Sequence, residues 1–168
     1  MKKLLLKIIK FFGIINIYQS KNNAKIFFFK NLKLKEYYSI DEISSKKIKN
    51  YLKSRNLLNR FSEGNTLCTL KKGQLTIGLG WKNNNSSNWY ISEVDKYFLL
   101  KNKIILFDFW MFKQYRKKGY YSKMLFLIKN EITKKKFIIY SLSTNKSSIK
   151  GILRAGFKLK KKISKFND

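Results

Sequence analysis

The stretch QYRKKGYYSKML, Gln114 to Leu125, joins a cluster of basic residues and one glycine to an apolar run with helical spacing. It follows KIILFDFWMF, Lys103 to Phe112, whose continuous branched and aromatic residues predict a strand too apolar to lie at a sheet edge. A buried strand that stops at Phe112, turns through KQYRKKG and opens a helix at Tyr120 brings successive unpaired backbone N–H groups to the positive end of that helix. The chemistry this arrangement offers is anion binding. Gly119 gives the turn the backbone freedom that a concave run of amides needs, and the lysines beside it raise the local potential. Any strand-turn-helix junction in a basic protein also needs residues here, so a structural use stands beside the binding one.

Other chemistry-bearing residues read as structure. Gly78 and Gly80 lie in LTIGLGW without a third glycine or a following helix, so a bulge or a close backbone approach accounts for them better than a phosphate loop. Cys68 is the one cysteine and histidine is absent, which excludes an intramolecular disulfide, leaves no plausible zinc site, and favours a structural thiol over a nucleophile lacking a histidine partner. Its place in the strand-like run TLCTL makes it a buried thiol suited to a reducing cytoplasm.

At 168 residues the chain has the size of one domain, and its 44% hydrophobic and 16% aromatic content is that of a folded protein. The formal charge of +29 has two available origins. Lysine-rich faces attract nucleic acid and anionic membranes. Yet only four of the 38 basic residues are arginine (Arg55, Arg60, Arg116, Arg154), proline and histidine are missing, and Ile, Asn, Phe and Lys abound, as an A+T-rich gene would produce. In MKKLLLKIIKFFGIINIY, Lys3, Lys7 and Lys10 gather on one side of a helix opposite Leu4, Leu5, Ile8 and Phe11. The lysines interrupt the apolar run, so it reads neither as a secretory signal nor as a membrane span. Residues 1–18 form a basic amphipathic segment suited to an anionic membrane surface or to packing on its own domain, residues 19–168.

The elements that must position the anion site follow from periodicity. AKIFFFKNL, from Ala24, predicts a strand, and SIDEISSKKIKNYLKS a helix capped by Ser39 or Asp41 with Ile43, Ile48, Tyr51 and Leu52 as its apolar stripe. NTLCTL, the turn KKGQ and LTIGLGW make a hairpin, KNNNSSN a loop and NWYISEV a short strand. After KIILFDFWMF come a helix in YYSKMLFLIKNEI, a buried strand KFIIYSL, a helix NKSSIKGILRA and a last strand GFKLKKKI. That order is an α/β or α+β sandwich around a mixed sheet.

On two of these junctions the chain resembles the GNAT superfamily of acyl-CoA-dependent N-acetyltransferases. Arg116-Lys117-Lys118-Gly119-Tyr120-Tyr121 is similar to its Q/R-x-x-G-x-G/A motif. Asn145-Lys146-Ser147-Ser148, followed by Ala155-Gly156-Phe157, is similar to its later N-x-x-A/S…G-F segment. The resemblance runs from Lys103 to Ile163. It implies a mixed, mostly antiparallel sheet with helices on both faces, in which FDFWMF and FIIYSL form a splayed parallel pair. The pantetheine arm of acetyl-CoA would enter that gap and meet backbone groups of Phe109, Trp110 and Met111. The amides of Lys117, Lys118, Gly119, Tyr120, Tyr121 and Ser122 would face the pyrophosphate. Asn145 would contact the arm, although capping its own helix is an equally physical use. Tyr121 stands where the motif has Gly or Ala, and must turn its ring away from the diphosphate.

The implied reaction is attack of a neutral amine on a thioester, which calls for positioning, donors near the developing oxyanion and a base. Asp108, on the strand that meets the thioester, and Glu93, near the facing loop, are the candidate bases, and Tyr140 is a candidate acid. Each has a structural alternative: a carboxylate paired with a cation, or a half-buried core tyrosine. The tyrosine that many members use as the acid would fall at Ile152. The resemblance implies a cytoplasmic enzyme that moves an acetyl or short acyl group from acetyl-CoA, without a metal, to a small-molecule amine. YRKKGYYSKML and NKSSIKGILRAGF are similar in style to members from bacterial surface-polysaccharide gene sets, which points to an amino sugar, nucleotide-linked, as acceptor. A protein N-terminus or lysine is the other acceptor class. A non-enzymatic module binding RNA or the ribosome is the rival to catalysis.

Overall fold

The computed structural model describes residues 13–20, 29–131 and 135–166. Runs of branched and aromatic residues become strands β1 (Ile14–Ser20), β2 (Leu32–Tyr37), β3 (Thr66–Lys72), β4 (Leu75–Asn83), β5 (Asn88–Ile91), β6 (Lys96–Leu99), β7 (Ile104–Met111), β8 (Phe137–Leu142) and β9 (Phe157–Ser164). Seven of them form one sheet in the order β2-β3-β4-β7-β8-β1-β9, while β5 and β6 make a separate ribbon. Every pairing is antiparallel except that of β7 with β8.

The parallel pair is short. Ile104, Ile105 and Leu106 oppose Phe137, Ile138 and Ile139, and there the ladder stops. Beyond it β7 stays with β4 as far as Met111, and β8 stays with β1 as far as Leu142. The two strands are pulled apart by their other neighbours, and a cleft opens between their C-terminal halves.

Helices cover both faces. On one face Ile48 and Leu52 of α1 (Lys46–Ser54) pack with Ile17, Leu79, Trp81, Ile105 and Ile138. On the other, Met124, Leu125 and Ile128 of α2 (Tyr120–Glu131) and Ile152 of α3 (Lys146–Arg154) pack with Leu70, Ile104, Leu106, Ile139 and Phe157. Among the described residues no helix is long and apolar enough to cross a membrane.

Several boundaries differ from expectation. The division after residue 18 falls inside β1, whose Ile15 and Ile17 are wholly buried between β8 and β9, so the domain already includes Ile14. The lysine face of Lys3, Lys7 and Lys10 lies outside the described residues, as does most of AKIFFFKNL. The strand found nearby is β2, LKLKEY, which alternates lysines outward with Leu32 and Leu34 against the core. The N-cap of α1 is Ser45, whose Oγ accepts from the Ile48 N–H at 3.4 Å, rather than Ser39 or Asp41. Ile43 is buried in the preceding coil.

Candidate active site

A bulge in β7 shapes the cleft. Trp81 opposes Phe107 and Leu79 opposes Trp110, so β7 spends three residues where β4 spends two. Gly80 sits against the extra residue, and a Cβ there would lie 2.3 Å from the Phe109 ring. The glycine pair therefore serves both a bulge and a close approach, since a Cβ on Gly78 would likewise lie 2.4 Å from Met111 Sδ. Asp108 takes the strain, with φ at 47°. After it the alternation shifts phase: Leu106, Phe109 and Met111 face α2 and α3, while Phe107 and Trp110 face α1.

The Asp108 carboxylate also turns to the α1 side. Its Oδ2 accepts from Arg60 Nη1 at 2.8 Å, and Arg60 lies 5.3 Å from the ring centroids of both Trp81 and Phe107. Among the described residues Oδ1 has no hydrogen-bond partner. The structural alternative for Asp108, a paired carboxylate, thus holds for one oxygen and leaves the other available.

Tyr140 stands across the cleft on β8 and packs against the same core. Burial first, then the Glu93 carboxylate, pushes its phenol up to about 12, with Asp108 adding to the rise and Arg60 opposing it. The Trp89 indole N–H approaches the hydroxyl in a geometry short of a full hydrogen bond and works in the opposite direction. Glu93, in the turn between β5 and β6, is half-buried and accepts from Ser92 Oγ at 3.3 Å. Glu93 and Asp108 thus each lie within electrostatic reach of Tyr140. Ile152 is fully buried in α3 and offers no proton.

Beyond Met111 the chain forms the anion turn. Lys117 and Gly119 have φ of 59° and 74° and alternate with Lys118, which curls the backbone into a concave nest before α2 begins at Tyr120. No acceptor among the described residues takes the N–H groups of Lys117, Lys118, Gly119, Tyr120, Tyr121 or Ser122; the first amide of α2 to find one is that of Lys123, bonded to Gly119 O at 3.2 Å. Ser122 Oγ donates to the same carbonyl at 2.8 Å. A Cβ at Gly119 would meet nothing within 4 Å, so its glycine answers to conformation and leaves the mouth of the nest open.

Tyr121 points its ring away from the nest, into the seam between β7 and α3. The ring lies 5.7 Å from that of Phe109, its hydroxyl is 3.4 Å from Ser148 Oγ, and a Cβ on Gly151 would come within 2.3 Å of it. Burial pushes its phenol up to about 12. Asn145 caps α3: its Oδ1 accepts from the Ser148 N–H at 3.1 Å and from Ser147 Oγ at 3.0 Å. The Met111 carbonyl accepts from Arg116 Nε at 2.9 Å. The backbone of Phe109 and Trp110 borders the cleft where β8 has departed.

Sequence reasoning missed the α1 wall. Tyr51 lies 5.9 Å from Trp110, Arg55 Nη1 donates to Tyr51 Oη at 2.8 Å, and Arg116 sits 4.1 Å from the Trp110 ring centroid. The scarcity of arginine was the available signal. A separate cavity of about 630 Å³ lies near the start of β3 and the end of β4, where Glu36 and Lys82 form an ion pair. The open backbone groups lie at the cleft instead.

No protein-family model matches the sequence, and comparison with curated proteins gives no match. Solved structures do match. An acetyltransferase of the GNAT family from Colwellia psychrerythraea gives a TM-score of 0.55 at 14% identity, over 88% of this chain and 53% of that one. A protein of Novosphingobium aromaticivorans assigned to the same family gives 0.57 at 9%, over 90% and 61%. A conserved protein of unknown function from Staphylococcus epidermidis gives 0.52 at 11%, over 96% and 65%. The chain spans between 53% and 65% of the length of these structures. What it shares with them is the GNAT fold, as its two motifs implied.

Proposed function

We propose that the chain is an acyl-CoA-dependent N-acyltransferase that passes an acetyl or short acyl group from acetyl-CoA to a primary amine. The observation that carries this reading is the run of six unpaired amides, Lys117 to Ser122, set at the mouth of a cleft between splayed parallel strands. Backbone donors on a helix N-terminus suit a pyrophosphate. The backbone of Phe109 and Trp110 would align the pantetheine arm, and donors along β7 would hold the thioester oxygen as charge develops on it. Asp108 Oδ1 would take the proton of the incoming amine. Tyr140, protonated at neutral pH as an ordinary phenol is, would supply a proton to the departing thiolate across the cleft, with burial and Glu93 holding that proton more tightly in the free protein. A small amine, an amino sugar carried on a nucleotide, is the acceptor class, by likeness of motif style, and the cytoplasm is the site of action.

Acetyl-CoA should raise thermal stability: at a hundred times its Kd the gain is about 2.7 kcal/mol, or several degrees for a chain of this size. Gly119→Pro removes one amide and cannot adopt φ of 74°, so it should abolish that gain and also lower the melting temperature of the free protein; the readout is the shift on adding acetyl-CoA, measured from the variant's own baseline. An unchanged melting curve with acetyl-CoA in excess would count against the transferase.

A further inference from the structure

The chain uses arginine at four positions among 38 basic residues, and three of the four converge on one wall of the cleft. Arg60 binds Asp108. Arg55, at the end of α1, lies 5.9 Å from the Trp110 ring centroid, and Arg116 lies 4.1 Å from the same centroid. Where lysine is the default cation, a position that carries arginine marks a need for a planar, multiply donating group that an ammonium cannot fill.

The charges on this wall do not cancel. Arg60 is matched by Asp108, but among the described residues no carboxylate pairs with Arg55 or Arg116. Each spends one donor locally, Arg55 on the Tyr51 hydroxyl and Arg116 on the Met111 carbonyl, and these bonds fix the guanidinium planes beside the indole. Both have further N–H groups to offer. Two preset guanidinium groups with a net charge of about +2 complement a phosphate, which carries about −1.5 to −2 and accepts paired N–H bonds. A neutral amine would leave both charges facing nothing.

We propose that Arg55 and Arg116, which lie 5.9 and 4.1 Å from the Trp110 ring centroid, recognise a phosphate carried by the acceptor, which makes the acceptor a phosphorylated or phosphate-linked amine. This rests on the transferase reading, because it assigns the α1 side of the cleft to the acceptor and the amide nest to the donor.

The test separates the two. Protein saturated with CoA, so that the nest is filled, is titrated with inorganic pyrophosphate by calorimetry. Pyrophosphate should bind to the CoA complex, and Arg55→Lys and Arg116→Lys should each weaken it about tenfold, since lysine keeps the charge and loses the fork; CoA affinity should be unchanged in Arg55→Lys, the variant that lies away from the nest. Arg55 is exposed and makes no side-chain bond to the backbone, so its variant reports recognition apart from folding. Oxalate, a dicarboxylate dianion, should bind more weakly than pyrophosphate. Failure of pyrophosphate to bind the CoA complex, loss of CoA affinity in Arg55→Lys, or equal binding of oxalate would each overturn the proposal. Failure of CoA itself to bind would overturn the transferase reading, and the same titration on the free protein would then still decide whether these arginines hold a phosphate.

Discussion

Adding one methyl group at Gly151 tests how Tyr121 is accommodated beside the anion nest. A Cβ at that position would sit 2.3 Å from Tyr121 Cδ1 and 2.8 Å from Cε1, well inside contact distance. The ring cannot simply step aside, because Phe109 lies 5.7 Å away on β7 and Ser148 approaches its hydroxyl. Overpacking of this kind costs about 1–3 kcal/mol, while alanine for glycine inside a helix gains about 1 kcal/mol. Gly151→Ala should therefore be neutral to about 2 kcal/mol destabilising in the native background. With the ring removed in Tyr121→Ala only the helix term remains, and the same change should stabilise by about 1 kcal/mol. Urea unfolding of the four proteins closes the cycle, with an expected coupling of about 1–3 kcal/mol. Stabilisation of equal size in both backgrounds would refute the packing. CoA affinity should hardly move in Tyr121→Ala, because the nest uses that residue's amide; a large loss would place the ring against the ligand.

Asp108→Asn keeps a residue tolerant of φ near 47° and removes the ion pair with the half-buried Arg60, so stability should fall by about 1–2 kcal/mol, between the values for exposed and buried pairs. Turnover per folded molecule should fall about 10²–10⁴-fold with CoA affinity intact, and a stable variant that keeps its activity would remove Asp108 as the base. In alkali, Tyr121 and Tyr140 hold their protons to about 12 in the folded chain, while unfolded tyrosine releases its proton near 10. Their contribution to stability is complete below pH 10 and is lost as pH climbs through 12, at about 1.4 kcal/mol per pH unit for each; Tyr121→Phe should reduce the slope of unfolding free energy across the window by about that amount. Removing residues 1–12 spares β1 and should leave acetyl-CoA binding intact while reducing sedimentation with anionic vesicles, whereas removing residues 1–18 takes most of β1 and should unfold the domain. Folding of the longer truncation would contradict the central place of Ile15 and Ile17.

What could be read from the sequence was what announces itself locally. KIILFDFWMF and KFIIYSL are apolar on both faces because each is flanked by strands and covered by helices, and that continuity is visible without neighbours. The nest was legible because Gly119 and the apolar run after it are adjacent in the chain. β1 was hidden because IINIYQS continues a lysine-punctuated apolar segment whose spacing also suits a helix. β2 was hidden because, in a chain this rich in lysine, the alternation in LKLKEY resembles background. The α1 wall had no local sign beyond its rare arginines, since Arg60 and Asp108 are 48 residues apart and meet only after a bulge has turned Asp108 toward α1. The ring of Tyr121 and the bare backbone of Gly151 likewise fit each other only once α2 and α3 are side by side.

The bulge at Asp108 means that β7 is written in two phases, one before the inserted residue and one after it. Deleting Asp108 would remove the carboxylate and the inserted residue together, restoring a continuous register with β4 in which Phe109 stands opposite Gly80 and Phe109, Trp110 and Met111 keep the faces they already hold. Flattening the strand with residue 108 retained would instead send all three to the opposite face. Residue 108 is thus supernumerary to the sheet: the pairing on either side of it does not need its side chain, which leaves that side chain free to serve the cleft.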